Sequence, residues 1–152
     1  MEPDEKEVEE GFFWVEEYNL AQHSVMTLGL EDGLVKEWEW EGSIGEVPPM
    51  GLFDDMYDDI HSKYRKVRKG IRTITYTDGI TEAMNSSQEL FGKERLKEEL
   101  LKTRNLEPED AKEKLIESLM KWISGGSESS FTVEDVRKKM TDDITFIIAD
   151  II

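Results

Sequence analysis

Tyr76-Thr77-Asp78-Gly79-Ile80-Thr81-Glu82-Ala83 is the stretch on which the reading turns, and Thr141-Asp142-Asp143-Ile144-Thr145 is its counterpart near the C-terminus. The residues leading into the first, Ile71 to Thr77, alternate Ile71, Thr73, Thr75, Thr77 with Arg72, Ile74, Tyr76, a strand-like composition that stops abruptly at Asp78-Gly79. The second leads into Ile144 to Ile152, which reads as a buried terminal strand. Both places combine a strand end with a carboxylate. Such ends favour sites because the scaffold is rigid while the side chains still reach solvent. An Asp closing one strand and an Asp opening its neighbour can share one cation, each giving one oxygen. Adjacent side chains on a strand point to opposite faces, so one of Asp142 and Asp143 is expected to join Asp78. The plain alternative is that Asp-Gly is a turn and Asp142-Asp143 a strand flank.

Working outward, Phe12 to Tyr18 and Ser24 to Leu30 are short aromatic, Val and Leu runs, and Glu31-Asp32-Gly33 after the second signals a hairpin. In the next run, Leu34 to Trp40, alternation puts Trp38 and Trp40 on one face, where core packing is the expected role. Gly42 to Gly51, with Pro48-Pro49, is a loop, and Asp54 to Tyr64 is mixed and gives no clear element. From Ser87 the period becomes helical: Leu90, Phe91, Leu96, Leu100 and Leu101, broken at Gly92, predict two short helices. A further helix runs from Pro108 to Ile123, its stripe of Ala111, Leu115, Ile116, Leu119 and Met120 facing a sheet, and ends at Gly125-Gly126. Ser124 to Ser130 reads as a flexible loop and Val133 to Met140 as a weak helix. This order implies an α+β domain with an antiparallel sheet. There is no internal repeat, glycine-rich dinucleotide fingerprint, P-loop or serine nucleophile elbow.

Composition narrows the function classes. The chain has 152 residues, 19 basic against 35 acidic, for a formal charge of -16. That charge repels phosphate backbones and anionic headgroups, so neither nucleic acid nor a membrane surface is an expected partner. Cysteine is absent, which excludes disulfides, thiolate metal sites and a cysteine nucleophile. No apolar stretch approaches the ~20 residues a membrane helix needs, and the expected location is cytoplasmic. Residues 1–11 form an acidic leader expected to be disordered, and 12–152 one domain. Carboxylate-rich chains suit hard divalent cations, although most such charges form a solvated surface.

The segment YTDGITEA resembles the YTDGxTEA segment of SpoIIE-type phosphatases, a branch of the metal-dependent PPM (protein phosphatase 2C-like) family. Phe91-Gly92-Lys93-Glu94-Arg95-Leu96 resembles that family's FGxERL helix, Asp142-Asp143-Ile144-Thr145 its DDIT strand, and Pro49-Met50-Gly51-Leu52 its PLGL loop. Tyr18-Asn19-Leu20-Ala21-Gln22-His23 is a degraded likeness of its YxNAGH segment. The resemblance runs from about Phe12 to Ile152. It implies a PPM-like antiparallel β-sandwich with flanking helices, the N-terminal portion of the domain missing. It also implies hydrolysis of phosphoserine or phosphothreonine by water bound to paired Mn2+ or Mg2+, with Asp78, Asp142 and Asp143 at the metal-ligand positions. The implied partner is a phosphorylated regulatory protein such as an anti-sigma-factor antagonist.

The departures are equally definite. The GD and DxSGHG segments that supply the rest of the family's metal cluster do not occur here. Two functions follow as expectations: a phosphatase completed by other ligands, or a phosphatase-derived binding or regulatory module without turnover. Asp54, Asp55, Asp58 and Asp59 are candidates to complete the shell, or a solvated loop. His23 falls at the family's histidine with a structural hydrogen-bonding role expected, and His61 lies in a charged stretch as a surface residue. A sandwich short of strands exposes edges, which makes a homodimer the expected assembly.

Overall fold

The computed structural model describes residues 12–18, 26–38, 62–126 and 142–152. Its elements in chain order are β1 (Phe12–Tyr18), β2 (Met26–Glu31), β3 (Leu34–Glu37), β4 (Ser62–Arg68), β5 (Ile71–Tyr76), α1 (Asp78–Thr81), α2 (Gly92–Lys102), α3 (Pro108–Ser124) and β6 (Phe146–Ile151). They form a four-stranded sheet, order β3-β2-β5-β6, and a two-stranded sheet of β1 with β4; every pairing is antiparallel.

The hairpin expected at Asp32-Gly33 is present, with Asp32 at φ 52 and Gly33 at φ 77, the left-handed turn geometry that joins β2 to β3. Register fixes the faces of the larger sheet. Leu28 lies opposite Ile74, Met26 opposite Tyr76 and Ile148 opposite Ile74, so these side chains share the face that meets the helices. There Leu28, Ile74 and Tyr76 are buried with Leu96 and Leu100 of α2 and Leu115, Leu119 and Ile123 of α3 in one core.

On the opposite face Thr27, Ile71 and Thr73 are also buried. The Nε1 edge of the Trp38 indole packs against Gly29, where any Cβ would overlap it, and the Arg65 guanidinium of β4 sits 5.3 Å from the Trp38 ring centroid. Trp38 thus packs as expected, at half-burial, while Trp40 lies outside the described residues.

Three expectations need correction. Leu90 to Leu101 is not two helices. Gly92, at φ 77, opens one continuous α2, while Leu90 pairs with Met84 in an isolated bridge. The terminal strand is not buried on both sides either: among the described residues β6 is an edge of its sheet, with Phe146 and Ile148 half-buried and Ile147 64% exposed. Finally, β4 arises where the sequence showed no element. The α3 helix occupies the expected residues, with Pro108 in its first turn and Gly125 as a left-handed cap, the Gly125 and Gly126 amides donating to the Trp122 and Lys121 carbonyls, but its buried face is Ala111, Leu115, Leu119 and Ile123, and Ile116 of the expected stripe is exposed.

One buried charge ties the far end of the sheet together. Arg72 of β5 donates from Nε and Nη2 to the Asp150 carboxylate of β6, 2.6 Å each, and from Nη2 to the Leu106 carbonyl at 2.6 Å. Its Nη1 reaches the Thr103 carbonyl, so the same guanidinium holds the turn between α2 and α3. The hydrogen bonds Arg72 donates to Asp150 raise the Arg72 pKa above its ordinary value against the opposing effect of burial.

Candidate functional site

The site lies at the opposite end of β5, where the strand hands over to α1. Asp78 does not close the strand, as the alternation suggested; it opens a single helical turn. The Asp78 carbonyl accepts the Glu82 amide and the Thr81 hydroxyl, both at 2.9 Å. Ile80 and Ala83 are buried in the core and anchor this turn.

The second segment is bound to it directly. The Thr77 amide donates to the Thr145 carbonyl at 3.0 Å, and the Thr145 amide donates back to Thr77 Oγ1 at 3.3 Å. Gly79 packs on the Asp143 carbonyl so closely that a Cβ there would come within 3.0 Å of the Asp143 carbonyl carbon. The juxtaposition of YTDG with DDIT is therefore a property of the backbone.

Residues 142–145 precede β6 and are not themselves strand, so the strict alternation invoked for Asp142 and Asp143 does not govern them. Asp142 Oδ1 accepts the Asp143 amide at 2.7 Å. Asp142 and Asp143 are exposed and Asp78 is half-buried. None of the three forms an ion pair among the described residues.

As a donor set this suits a hard dication, which takes carboxylate oxygens. The number does not suffice alone: among the described residues no three acidic, histidine or cysteine side chains are gathered to hold one ion. The segment holding His23, His61 and the cluster Asp54, Asp55, Asp58 and Asp59 lie outside the described residues.

Sequence reasoning missed the packing behind the turn. The Ala83 carbonyl accepts two donors, the Phe91 amide at 2.8 Å and Trp122 Nε1 at 3.3 Å. Arg95 of α2 stacks over Trp122, its guanidinium carbon 3.8 Å from the ring centroid, and Phe91 meets the indole edge-on at 6.2 Å. Trp122 carried a weak signal: three residues after Leu119 and seven after Leu115, it falls on the apolar stripe of α3.

Residues 17–152 match the sequence profile of the family described as Stage II sporulation protein E (SpoIIE). The chain belongs to the SpoIIE family. The solved structures agree on the fold. The SiaA-PP2C domain of Pseudomonas aeruginosa is similar at a TM-score of 0.51 and 20% identity, over 86% of this chain and 44% of that one. The phosphatase domain of the cell fate determinant SpoIIE from Bacillus subtilis, Mn presoaked, is similar at a TM-score of 0.53 and 15% identity, over 92% of this chain and 56% of that one. The chain thus spans about half the length of these phosphatase domains. No curated protein sequence matches it. The α+β antiparallel architecture expected of a SpoIIE-type PPM domain is therefore present, and no helix among the described residues is long and apolar enough to cross a membrane.

Proposed function

We propose that this chain carries part of the active site of a metal-dependent protein serine/threonine phosphatase, with Asp78, Asp142 and Asp143 as its contribution to a Mn2+ or Mg2+ centre. The observation supporting this reading is the hydrogen-bonded meeting of the Asp78 turn with residues 142–145, at one end of a sheet in a SpoIIE-family chain. When bound, the ions supply activation of water and neutralisation of phosphoryl charge. The chain's own residues hold the ligands. Thr77 and Thr145 lock the two segments together, the Asp78 carbonyl is spent inside α1, and among the described residues the carboxylates have no cationic partner that would compete for their oxygens. The further oxygens of the shell come from outside this pair of segments.

The test is manganese titration into chelator-stripped protein together with phosphate release from a phosphoserine peptide, for wild type, Asp78→Asn and Asp142→Asn. Wild type is expected to bind at micromolar concentration or tighter. Each substitution should weaken binding by more than the ~10–100-fold that loss of an outer-shell partner costs, and abolish turnover. Activity that survives Asp78→Asn refutes the assignment.

A second reading, a binding or regulatory module without turnover, draws support from the shortage of ligands among the described residues. Chelator-insensitive binding of a phosphorylated anti-sigma-factor antagonist, with no manganese uptake, would select it. Either role is played in the cytoplasm. The β6 edge, which no described strand pairs, favours a homodimer, and a monomer at every accessible concentration in sedimentation would reject that assembly.

A further inference from the structure

The geometry points to Trp122 as a positioning residue for the Asp78 turn. The turn is pinned at both ends. At its start the Thr77 amide and hydroxyl bond to residues 143–145; at its exit the Ala83 carbonyl receives Trp122 Nε1 from α3 and the Phe91 amide from the approach to α2. Between the pins lie only Asp78 to Glu82, one helical turn, so the exit anchor sets how that turn sits on the sheet.

The indole is itself oriented. Arg95 covers one face at 3.8 Å, and its Nη1 donates to the Leu90 and Phe91 carbonyls at 3.1 and 3.0 Å, so the cation cannot leave the ring without breaking bonds to the segment that leads from the turn into α2. Phe91, buried, meets the indole edge-on. Trp122 is only half-buried: with Arg95 it lines a groove of about 500 Å³ that opens between residues 85–87, α2 and the end of α3. A half-buried tryptophan whose one donor is aimed at the exit of an acid-bearing turn orients that turn more than it fills the core.

The test compares Trp122→Phe, which keeps a ring but removes the donor, with wild type by residue-resolved hydrogen exchange in the metal-free full chain. The Ile80 and Glu82 amides, which close the turn, should exchange roughly 3- to 10-fold faster, the range expected for losing one hydrogen bond, while Thr73 and Thr75 of β5 keep their rates. Uniform acceleration, or none, overturns the inference. If Trp122→Phe loses cooperative folding, Arg95→Met removes the stack from an exposed position and carries the same exchange test.

A second arm rests on the metal-site reading above: manganese affinity should fall by a similar factor in Trp122→Phe. If wild type takes up no manganese, that reading fails while the exchange arm still decides the role of Trp122. Manganese affinity unchanged in a variant whose turn has loosened would show that the anchor does not position Asp78.

Discussion

Gly79→Ala probes whether the two acid-bearing segments are held by contact of their backbones. The new methyl would stand 3.0 Å from the Asp143 carbonyl carbon and 3.6 Å from Ile144 Cα, with the Asp143 oxygen nearer still. Carbon atoms attract at 3.5–4.0 Å, so the segments must part by about 0.5–1 Å. That separation stretches the Thr77 to Thr145 bond from 3.0 Å to beyond useful length, a loss of about 1 kcal/mol. Forced overpacking adds about 1–3 kcal/mol. Against this, alanine in place of a helical glycine returns at most about 1 kcal/mol, and less in a single turn. The net expectation is destabilisation of about 1–3 kcal/mol, read in a thermal melt as about 2–4 °C per kcal/mol. Gly70→Ala is the control. Its φ of 83 strains the backbone but nothing lies within 4 Å, so it should lose about 1 kcal/mol without weakening manganese uptake. A Gly79→Ala protein that melts within a degree of wild type would show that the two segments are not held in backbone contact at this point.

Tyr76 is 1% exposed and its hydroxyl has no hydrogen-bond partner among the described residues, so Tyr76→Phe should stabilise by about 1 kcal/mol in urea titration; a loss of stability would reveal a partner for that hydroxyl. Burial, reinforced by Glu37, raises the Tyr76 pKa above 10.0, so the neutral phenol is the folded form. The unfolded chain then loses its proton first, and stability that is complete below pH 10 should fall as pH rises toward the folded value; the slope specific to this group should vanish in Tyr76→Phe. Arg72→Met strands the Asp150 carboxylate and two carbonyls and should cost about 2–4 kcal/mol by denaturant unfolding. Adding Asp150→Leu should recover part of that, because the uncompensated charge is then gone, and no recovery would count against the pair.

The fold was legible wherever local chemistry and burial agreed. Asp32-Gly33 demands a turn, Pro108 and Gly125 mark the two ends of α3, and Ile71 to Tyr76 is strand by composition and by location. Reading failed where tertiary contact decided. In β4, Ser-Lys-Tyr-Arg-Lys-Val-Arg, the apolar Tyr64 and Val67 stand three apart, so no period of two is visible, and the strand exists through its pairing with β1. Gly92 reads as a helix breaker because propensity describes helix interiors, whereas here a positive φ turns the chain into the first residue of α2. At the site, Asp78 and residues 142–145 could be paired from their motifs, but the Gly79 contact and the Trp122 anchor could not, since neither a glycine nor a tryptophan carries a charge or motif that names its partner.

Among the described residues no strand pairs with the outer side of β6, and that edge has a colloidal consequence. The carbonyls of Thr145 and Ile151 and the Ala149 carbonyl point toward β5, so by alternation the main-chain polar groups of Phe146, Ile148 and Asp150 point away from it. Beside them lie the exposed Ile147 and Ile152, a template for another strand with a single acid near its end. What opposes growth along that edge is long-range: a formal charge of -16 on every copy. Salt shortens the reach of that repulsion to about 8 Å at physiological ionic strength and to about 3 Å at 1 M, while leaving the apolar and main-chain attraction in place. Solutions of this protein should therefore cloud or associate as salt is raised, and dilute buffer should keep the molecules apart.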